Sequence, residues 1–353
     1  ASADIDSYLD MPLEELLNME ITSVSKTEQN LREVASAVYV LTSEDIRRST
    51  ATSLPDLLRT VPGVIVSQID AYEWTVSVRG FNTVRANKLL VLLDGRSIYT
   101  PLYGGVFWDA QDTLLEDIDR IEIIRGPGST IWGANAVNGV INIITRNARD
   151  TRGRLVSVAG GNEVKGILGL RHGGSAGENT DYRVYAKGRN IDSARVAATG
   201  GDATDDNQLI QTGFRVDGTS NTTTWTLQGD LYRVENSVLA PENSLVPPYI
   251  TYNDVDDKLD GANLLGRARY ALDDGGQITL QSYIDYTKRG QSLLDDERTM
   301  LDIEFQHELP AANDHKLIWG ASYRRVSDEI GNSFIVSVTP AERTDNLFTA
   351  FIQ

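Results

Sequence analysis

Cysteine is absent from the 353 residues of the chain. Disulfides, Fe–S clusters, thiolate zinc sites and cysteine nucleophiles are therefore excluded. Histidine is nearly as scarce, because only His172, His307 and His315 occur and they lie far apart in the sequence. This scarcity argues against a histidine-rich metal site, and we predict no resident cofactor or metal.

Positive charge and long apolar runs are also in short supply. The chain has 33 Lys and Arg against 50 Asp and Glu, a net charge of -17. Such a chain repels the phosphates of nucleic acids, so we predict no nucleic-acid partner. The best apolar run, Leu89–Leu93, is far shorter than the roughly 18 residues of a helical membrane span. Membrane β-barrels remain possible, because their strands alternate and are only weakly hydrophobic.

Signatures of catalysis are missing as well. No GxSxG motif occurs, no histidine lies near a plausible nucleophile, and the acidic residues are dispersed along the sequence. The turn that begins at Gly126 and Pro127 is not followed by the lysine that a phosphate-binding Walker loop requires. We therefore expect that the protein is not an enzyme.

The first 150 residues carry signals for both helices and strands. Thr42 with Asp45 predicts a capping box, and Ser53 with Pro55 predicts the start of a second helix. A type I′ turn at Asp94-Gly95 predicts a hairpin. This order of elements indicates a small α+β domain. The predicted strands are Val64–Ser67, Thr75–Arg79, Lys88–Leu93, Arg96–Tyr99, Arg120–Arg125 and Val137–Thr145.

After Asn147 the pattern changes to about ten alternating strands. Around Leu264 and Tyr270 one face is apolar, while the opposite face carries Arg267 and Arg269. Short turns alternate with long loops, which we predict at 191–207, 233–260, 289–298 and 327–344. This pattern favours an antiparallel transmembrane β-barrel, with short periplasmic turns and long external loops, over a soluble sandwich.

Three sequence blocks between Arg79 and Arg146 point to a family. They read VRGFN, LLVLLDGRSIYT and RIEIIRGPGSTIWGANAVNGVINIITR. In order and spacing they resemble the plug domain of TonB-dependent outer-membrane receptors, which import scarce nutrients through a plugged β-barrel. The resemblance implies a mainly β protein of the bacterial outer membrane, surrounded by its lipid. It divides the chain into an N-terminal segment 1–30, a plug domain 31–148 and barrel strands 149–353.

The number of strands is too small for a closed barrel of this kind. Ten tilted strands enclose a backbone radius of about 10 Å, whereas a compact plug of ~125 residues has an outer radius of about 18 Å. About 22 strands give a backbone radius of roughly 22 Å, which accommodates the plug. We therefore expect this chain to be the N-terminal part of a protein with a 22-stranded barrel.

A segment near the N-terminus resembles a TonB box, the contact for a TonB-type energy-transducing partner. The segment consists of Glu20, Ile21, Thr22, Ser23, Val24, Ser25 and Lys26. Its physical role is to add a strand to the edge of the partner's sheet. Lys26 stands where the family usually has a small residue, and an ordinary linker is the alternative.

Two plug segments, Ser67–Trp74 and Ser97–Asp109, are rich in aromatic residues. Aromatic faces with polar handles suit planar or amphipathic ligands, and loops at these places in the family touch the ligand. The alternative is that about half of the aromatic side chains pack into the plug or against the barrel wall. The predicted ligand-binding residues are Asp70, Tyr72, Glu73, Trp74, Tyr99, Tyr103, Phe107 and Trp108.

Two plug arginines, Arg79 and Arg125, have a different predicted role. The resemblance suggests that they latch the plug to acidic residues of the barrel wall, and direct contact with an anionic ligand is the alternative. Acidic runs at Asp202–Asp206, Asp254–Asp257 and Asp295–Glu297 could bind Ca²⁺ through carboxylate oxygens. Solvated surface charge is the preferred interpretation of these runs.

The predicted function is active import of a small-molecule nutrient, with a ferric siderophore or another metal chelate as the favoured ligand. Cobalamin and oligosaccharides are the alternative ligands. A truncated fragment without transport activity is the alternative of a different class, because an unclosed barrel leaves unpaired strand edges in lipid.

Overall fold

The computed structural model describes residues 20–21, 29–30, 37–80, 82–83, 86–102, 104–126, 132, 135–312 and 315–353. Its described residues form two compact units. The first unit draws on Ala1–Ser67, Trp74–Phe107 and Leu115–Thr145, and the second on Gln68–Glu73, Trp108–Leu114 and Arg146–Gln353. The predicted fold class is confirmed: a small α+β region precedes a ten-stranded antiparallel sheet.

The first unit is built on a five-stranded sheet in the order β3-β8-β9-β6-β7. Strands β6 and β9 are parallel, and the other neighbours are antiparallel. Its buried core includes Leu90, Leu92 and Val140. The elements are β1 Glu20–Ile21, β2 Gln29–Asn30, β3 Val38–Thr42, α1 Ser43–Arg48, α2 Leu54–Leu58, β4 Val64–Gln68, β5 Trp74–Val78, β6 Leu89–Leu93, β7 Arg96–Ser97, β8 Ile118–Arg125 and β9 Gly139–Thr145.

Local sequence signals set the ends of these elements as predicted. The Thr42 hydroxyl accepts a hydrogen bond from the Asp45 backbone N–H, and the Asp45 carboxylate accepts one from the Thr42 N–H, at 3.2 and 2.9 Å. Ser53 caps α2, whose first turn contains Pro55. Asp94 and Gly95 have φ angles of 52° and 86°, the type I′ geometry that lets β6 pair with β7.

The second unit is a ten-stranded sheet in which every strand pairs antiparallel with its neighbours in the sequence. This order confirms the predicted ladder of about ten strands. The strands are β10 Gly153–Ala159, β11 Val164–Ser175, β12 Thr180–Ile191, β13 Asn207–Ser220, β14 Thr223–Asn243, β15 Ile250–Ala271, β16 Gln277–Gly290, β17 Asp295–Ala312, β18 His315–Gly331 and β19 Glu342–Ile352.

The two faces of this sheet differ in chemistry. Trp225, Leu227 and Leu231 of β14 are 36, 39 and 60% exposed, whereas the alternate residues Tyr232 and Val234 are buried. We call the face that carries Trp225, Leu227 and Leu231 the outward face, and the opposite one the inner face. An exposed apolar outward face with period two is the pattern of a membrane-spanning strand. Within the described part of the chain, no helix is both long and apolar enough to cross a bilayer.

The predicted loop 233–260 is wrong. Strands β14 and β15 pair through it, from Arg233 opposite Asp260 to Asn243 opposite Ile250, and only six residues form the turn. The predicted loops at 289–298 and 327–344 are also shorter, because β17 begins at Asp295 and β18 continues to Gly331. The error has a physical reason: the segment contains many Asn, Asp and Pro residues, which are typical of loops, whereas its strands are held by backbone pairing across the hairpin.

Candidate functional site

Two short segments join the ten-stranded sheet rather than the residues next to them in sequence. They are Gln68–Glu73 and Trp108–Leu114, and both belong to the second unit. They contain four of the predicted ligand-binding residues, namely Asp70, Tyr72, Glu73 and Trp108. We therefore expect the candidate site on the inner face of the sheet, among the residues that contact these two segments.

Strand register determines which side chains share the inner face. Arg189 of β12 lies opposite Leu209, and Leu209, Val234, Leu259 and Arg289 are successive partners across the next four strands. Directly paired residues point to the same side of a sheet. Lys187, two residues before Arg189, also points there. Lys187, Arg189 and Arg289 thus share the inner face, and each of them is 7% exposed or less.

Asp112 is held by two of these cations. The Lys187 ammonium donates to Oδ1 at 2.7 Å, and the Arg189 guanidinium donates to Oδ2 at 2.9 Å. The backbone is bound as well, because Lys187 reaches the Thr113 carbonyl at 2.8 Å and the Gln211 amide donates to the Asp112 carbonyl at 3.1 Å. Asp112 is 3% exposed, so its charge is balanced by buried partners rather than by water.

Asp109 is held by the third cation. Both terminal nitrogens of Arg289 donate to its carboxylate, at 3.0 and 3.1 Å, in a forked arrangement. The Asn236 side chain adds a bond of 2.9 Å to the same carboxylate, and Arg189 donates to the Asp109 carbonyl at 3.1 Å. Planar guanidinium groups are suited to such two-point recognition of a carboxylate.

These five residues form one buried network, which we call the ion-pair cluster: Asp109, Asp112, Lys187, Arg189 and Arg289. Removing one partner from a buried pair leaves an uncompensated charge and costs about 3–5 kcal/mol. The cluster therefore fixes the segment Trp108–Leu114 to the inner face of the sheet. The cluster was not predicted from the sequence. The available signal was the pair of carboxylates three residues apart in DAQDT, together with two cations at alternate positions of one strand.

The predicted latch residues Arg79 and Arg125 both lie in the first unit. Arg125 donates to the Pro62 carbonyl at 3.0 Å. Arg79 has a left-handed backbone, with φ of 59°, and its guanidinium lies beside Gly126. Their predicted role as a latch stays a prediction. In the ion-pair cluster the charges have the opposite polarity, with carboxylates on the short segment and cations on the sheet.

The predicted aromatic residues differ in their surroundings. Trp108 is 6% exposed, as expected for an aromatic side chain that packs in the interior rather than against a ligand. Phe107 is half-buried. Trp74 of β5 is half-buried beneath the Arg59 guanidinium, which lies 5.1 Å from its ring centre, a cation–π contact. Burial raises the pKa of the half-buried Tyr99. Tyr103 lies outside the described residues.

Most of the predicted TonB box also lies outside the described residues, namely Thr22, Ser23, Val24, Ser25 and Lys26. Its first two residues, Glu20 and Ile21, form β1, which pairs with β2.

The segment Gln68–Glu73 is shaped by carboxylates. Asp70 Oδ1 accepts from the backbone N–H groups of Tyr72 and Glu73 at 2.9 and 2.6 Å. Asp205 accepts from the Ala71 N–H at 3.0 Å and from the Ala194 N–H at 2.8 Å. Aspartate therefore stabilises the turn from within and also ties it to the loop that follows β12.

Tyr72 lies among these acidic groups. Burial raises the pKa of its hydroxyl, and the nearby carboxylates of Asp70, Asp257 and Asp109 raise it further. Tyr72 is therefore a neutral hydrogen-bond donor at neutral pH. A surface with this balance of charge suits a ligand that offers hydroxyl, amide or cationic groups better than one with a strongly anionic face.

Asp70 gives this segment a pH dependence. Burial raises the pKa of its carboxyl above the ordinary 3.8, although the two backbone donors lower it. The folded segment therefore binds this proton more tightly than the unfolded one, so its stability falls as the pH rises from 3.8 through the raised pKa. In Asp70→Asn, which keeps an acceptor for both N–H groups, we expect the amide protection of Tyr72 and Glu73 to lose this decline between about pH 3 and pH 6.

Asp70→Ala is the matched control, because it removes the acceptor as well as the charge. We expect it to lower protection of the same amides throughout that range, by about 1–2 kcal/mol. An Asp70→Asn variant that kept the parent's pH dependence would show that another group titrates there.

Metal-binding groups are not assembled in the described residues, where no group of three or more His, Asp or Glu side chains is placed to hold an ion. Several members of the predicted acidic runs stabilise loops instead. Asp257 accepts from the Gln291 amide at 3.0 Å and from the Ser292 N–H at 3.3 Å. Asp254 accepts from the Thr204 hydroxyl at 3.0 Å.

Comparisons with known proteins agree with the resemblance found in the sequence. Residues 30–140 match the family model of the TonB-dependent Receptor Plug Domain. The vitamin B12 transporter BtuB of Vibrio vulnificus (strain CMCP6) is 33% identical over 161 residues, which is 45% of this chain and 26% of that protein. BtuB of Vibrio cholerae serotype O1 (strain M66-2) is 31% identical over 166 residues, or 46% of this chain and 26% of that protein.

Solved receptors share the fold across most of the chain. The siderophore receptor PirA from Acinetobacter baumannii aligns with a TM-score of 0.70 at 16% identity, over 91% of this chain and 54% of that one. A mutant of the ferric enterobactin receptor PfeA from Pseudomonas aeruginosa aligns at 0.67 and 16% identity, over 90% of this chain and 55% of that one. The matched region thus spans about a quarter of the length of the curated relatives and about half of these receptors.

Proposed function

Because this chain belongs to the TonB-dependent receptors of the bacterial outer membrane, we propose that it is part of an active importer for a scarce nutrient. The family consists of transport receptors rather than enzymes. In our proposal 1–30 is the segment for the energy-transducing partner, 31–148 the plug and 149–353 the first strands of a barrel of about 22 strands. The apolar outward face of the ten strands contacts lipid.

One structural observation supports this proposal most strongly. A segment from within the plug region, Trp108–Leu114, is bound to the inner face of the strands through the ion-pair cluster. The outward face of the sheet is apolar, and cations are buried on its inner face. Buried cations require acidic partners, because an uncompensated buried charge is strongly destabilising. The two aspartates of the segment provide such groups.

We propose a metal chelate, such as a ferric siderophore, as the ligand. The solved receptors with the same fold include the siderophore receptor PirA and the ferric enterobactin receptor PfeA. Cobalamin is the second candidate, since the sequence relatives include vitamin B12 transporters that match a little under half of the chain. The proposed ligand-contacting residues remain Asp70, Tyr72, Glu73, Trp74, Tyr99, Tyr103, Phe107 and Trp108, and oligosaccharides remain a third possibility.

Energy for import would come from a TonB-type partner. The extended segment Glu20–Lys26 would add a strand to that partner's sheet edge, and pulling on it would favour a rearranged plug. Such a shift requires an external energy source and no covalent chemistry. Since Trp108–Leu114 is fixed by buried ion pairs, we expect it to be among the last segments to leave the inner face.

Ligand capture tests the proposal. The complete receptor is purified from its native outer membrane, exposed to spent iron-poor medium, and analysed for bound metal and organic compounds. We expect a stoichiometric metal with an organic chelator. An organic ligand without metal would instead indicate a carbohydrate or peptide importer. If nothing is retained by the complete receptor, the alternative of a protein that has lost transport is favoured.

A further inference from the structure

The hairpin of β14 and β15 projects beyond the strands beside it. The last residue of β14 that pairs with β13 is Asn236, and the last residue of β15 that pairs with β16 is Lys258. Seven further pairs follow, from Ser237 opposite Asp256 to Asn243 opposite Ile250. At about 3.4 Å per residue they extend the ribbon by roughly 24 Å. This projection belongs to the end of the sheet that carries the longer loops, which is the external end of an outer-membrane barrel.

Three bands follow one another along the outward face of this hairpin. The first is the apolar band that contains Trp225, Leu227 and Leu231. Next comes a charged band, where Arg233 pairs with Asp260 at 2.6 Å. Lys258 and Glu235 continue this band at 3.8 Å. Two exposed ion pairs belong in water or among lipid headgroups, so they mark the upper limit of the lipid-covered surface.

Beyond the charged band the outward face carries large apolar residues again, interspersed with Ser237, Asn243, Asp254 and Asp256. Leu239 and Pro241 of β14 follow in the same alternation, and their neighbours include Tyr252 and Ile250 of β15. The turn at the tip of the hairpin exposes Leu245, Val246 and Tyr249 as well. We call the six largest of these apolar side chains the hairpin patch. Its members are Leu239, Leu245, Val246, Tyr249, Ile250 and Tyr252, with exposures of 52, 84, 64, 60, 50 and 64%.

A patch of this kind in water needs an explanation. Its six side chains expose roughly 700 Å² of apolar surface, compared with about 800 Å² buried per partner in a specific protein interface. Exposed apolar patches of several hundred Å² mark interaction sites in soluble surroundings. The charged band separates the patch from lipid, so lipid does not cover it.

We propose that the hairpin patch is a docking surface for a second copy of this receptor. The strand members of the patch, Leu239, Ile250 and Tyr252, continue the outward face, so they face sideways, toward neighbours in the same membrane. An identical chain inserted in the same direction presents the same patch at the same height. A two-fold axis along the membrane normal brings the two patches together, as in an isologous dimer. The area is also close to what one side of such an interface buries.

The acidic residues among the patch residues give the dimer a distinct salt dependence. Asp254 lies opposite Leu239 within the patch, and Asp256 lies next to it toward the charged band, so both would approach the same residues of the second copy. Added salt screens this repulsion, so it should strengthen a dimer of identical chains. A basic partner protein would be attracted by the same acids and weakened by salt.

Cysteine cross-linking in intact cells provides the test, since the chain has no cysteine of its own. In the complete receptor, Tyr252→Cys places a thiol in the patch. Thr251→Cys is the matched control, because Thr251 is also exposed and is adjacent but points to the opposite face of the strand. Disulfides form only when the Cα atoms approach within about 7 Å. With a mild oxidant we expect at least about fivefold more homodimer from Tyr252→Cys than from Thr251→Cys, and a larger yield at higher salt.

The other outcomes contradict the proposal. Equal cross-linking of both variants would indicate random collision, and the absence of a homodimer from both Tyr252→Cys and Leu245→Cys would show that the patches do not meet. A cross-link from Tyr252→Cys to a different protein, reduced by salt, would assign the patch to a basic partner instead.

Discussion

An Asp112→Asn substitution in the complete receptor is expected to increase hydrogen exchange of the amides of Trp108–Leu114 on the order of 100-fold. The carboxylate is almost fully buried and balances both Lys187 and Arg189. An amide in its place leaves two cations uncompensated, and this costs about 3 kcal/mol or more, with 1.36 kcal/mol for each factor of ten. Mass-spectrometric exchange of peptides from this segment, at neutral pH, measures the effect.

Asp119→Asn is the control, because its ion pair with Arg120 is short, at 2.7 Å, but its side chain is 45% exposed. Exposed pairs contribute about 0–1 kcal/mol, so exchange should change by no more than about fivefold. Combining Asp112→Asn with Arg189→Met should cost less than the sum of the single changes, since the cation that lost its partner is removed. Unchanged protection in Asp112→Asn would show that the cluster does not fix the segment.

Val24→Pro is expected to lower energised uptake at least about tenfold while ligand binding is retained. Proline has no backbone N–H and is tolerated poorly within a pairing strand. If the segment Glu20–Lys26 adds a strand to an energy-transducing partner, one missing donor in its centre disrupts that pairing. Whole-cell uptake and equilibrium binding, measured on the same cells, separate the two activities.

Val24→Thr is the matched control for this segment. It keeps the β-branched shape and the N–H group, so uptake should stay within about twofold of the parent. Equal uptake by the proline and threonine variants would identify Glu20–Lys26 as an ordinary linker. Loss of binding in Val24→Pro would indicate that the substitution acts on the ligand site rather than on energy coupling.

Features that depend on neighbouring residues could be predicted from the sequence. The cap of α1 needs only Thr42 and Asp45, and the β6–β7 turn needs only Asp94 and Gly95. Face alternation in β15 was equally local. The strand β3, Val38–Thr42, was not predicted. It pairs with β8, whose residues lie about 80 positions later in the sequence, so no local signal reveals it. The β14–β15 extension was missed because it is defined by pairing across the hairpin, while its Asn, Asp and Pro residues are typical of a loop.

The candidate site was only partly predictable for the same reason. The two aromatic segments stand out in the sequence, but Asp109 meets Arg289 across 180 positions. Nothing in the local sequence pairs one particular carboxylate with one particular cation. The register of five strands decides it, by bringing Arg189 and Arg289 to one face. Arg79 and Arg125 were predicted as latch residues because they lie in the recognisable motifs RGFN and RGPG. The sequence DAQDT, which contains Asp109 and Asp112, resembles no such motif.

Receptor-dependent accumulation of the captured compound is the measurement that tests the central claim most directly. Cells with and without the complete receptor are supplied with the compound, before and after a protonophore collapses the membrane potential. An energised importer predicts accumulation that requires the receptor and stops when the potential is lost, while binding to the cell surface continues. Accumulation that continued unchanged without the potential, or without the receptor, would contradict the account.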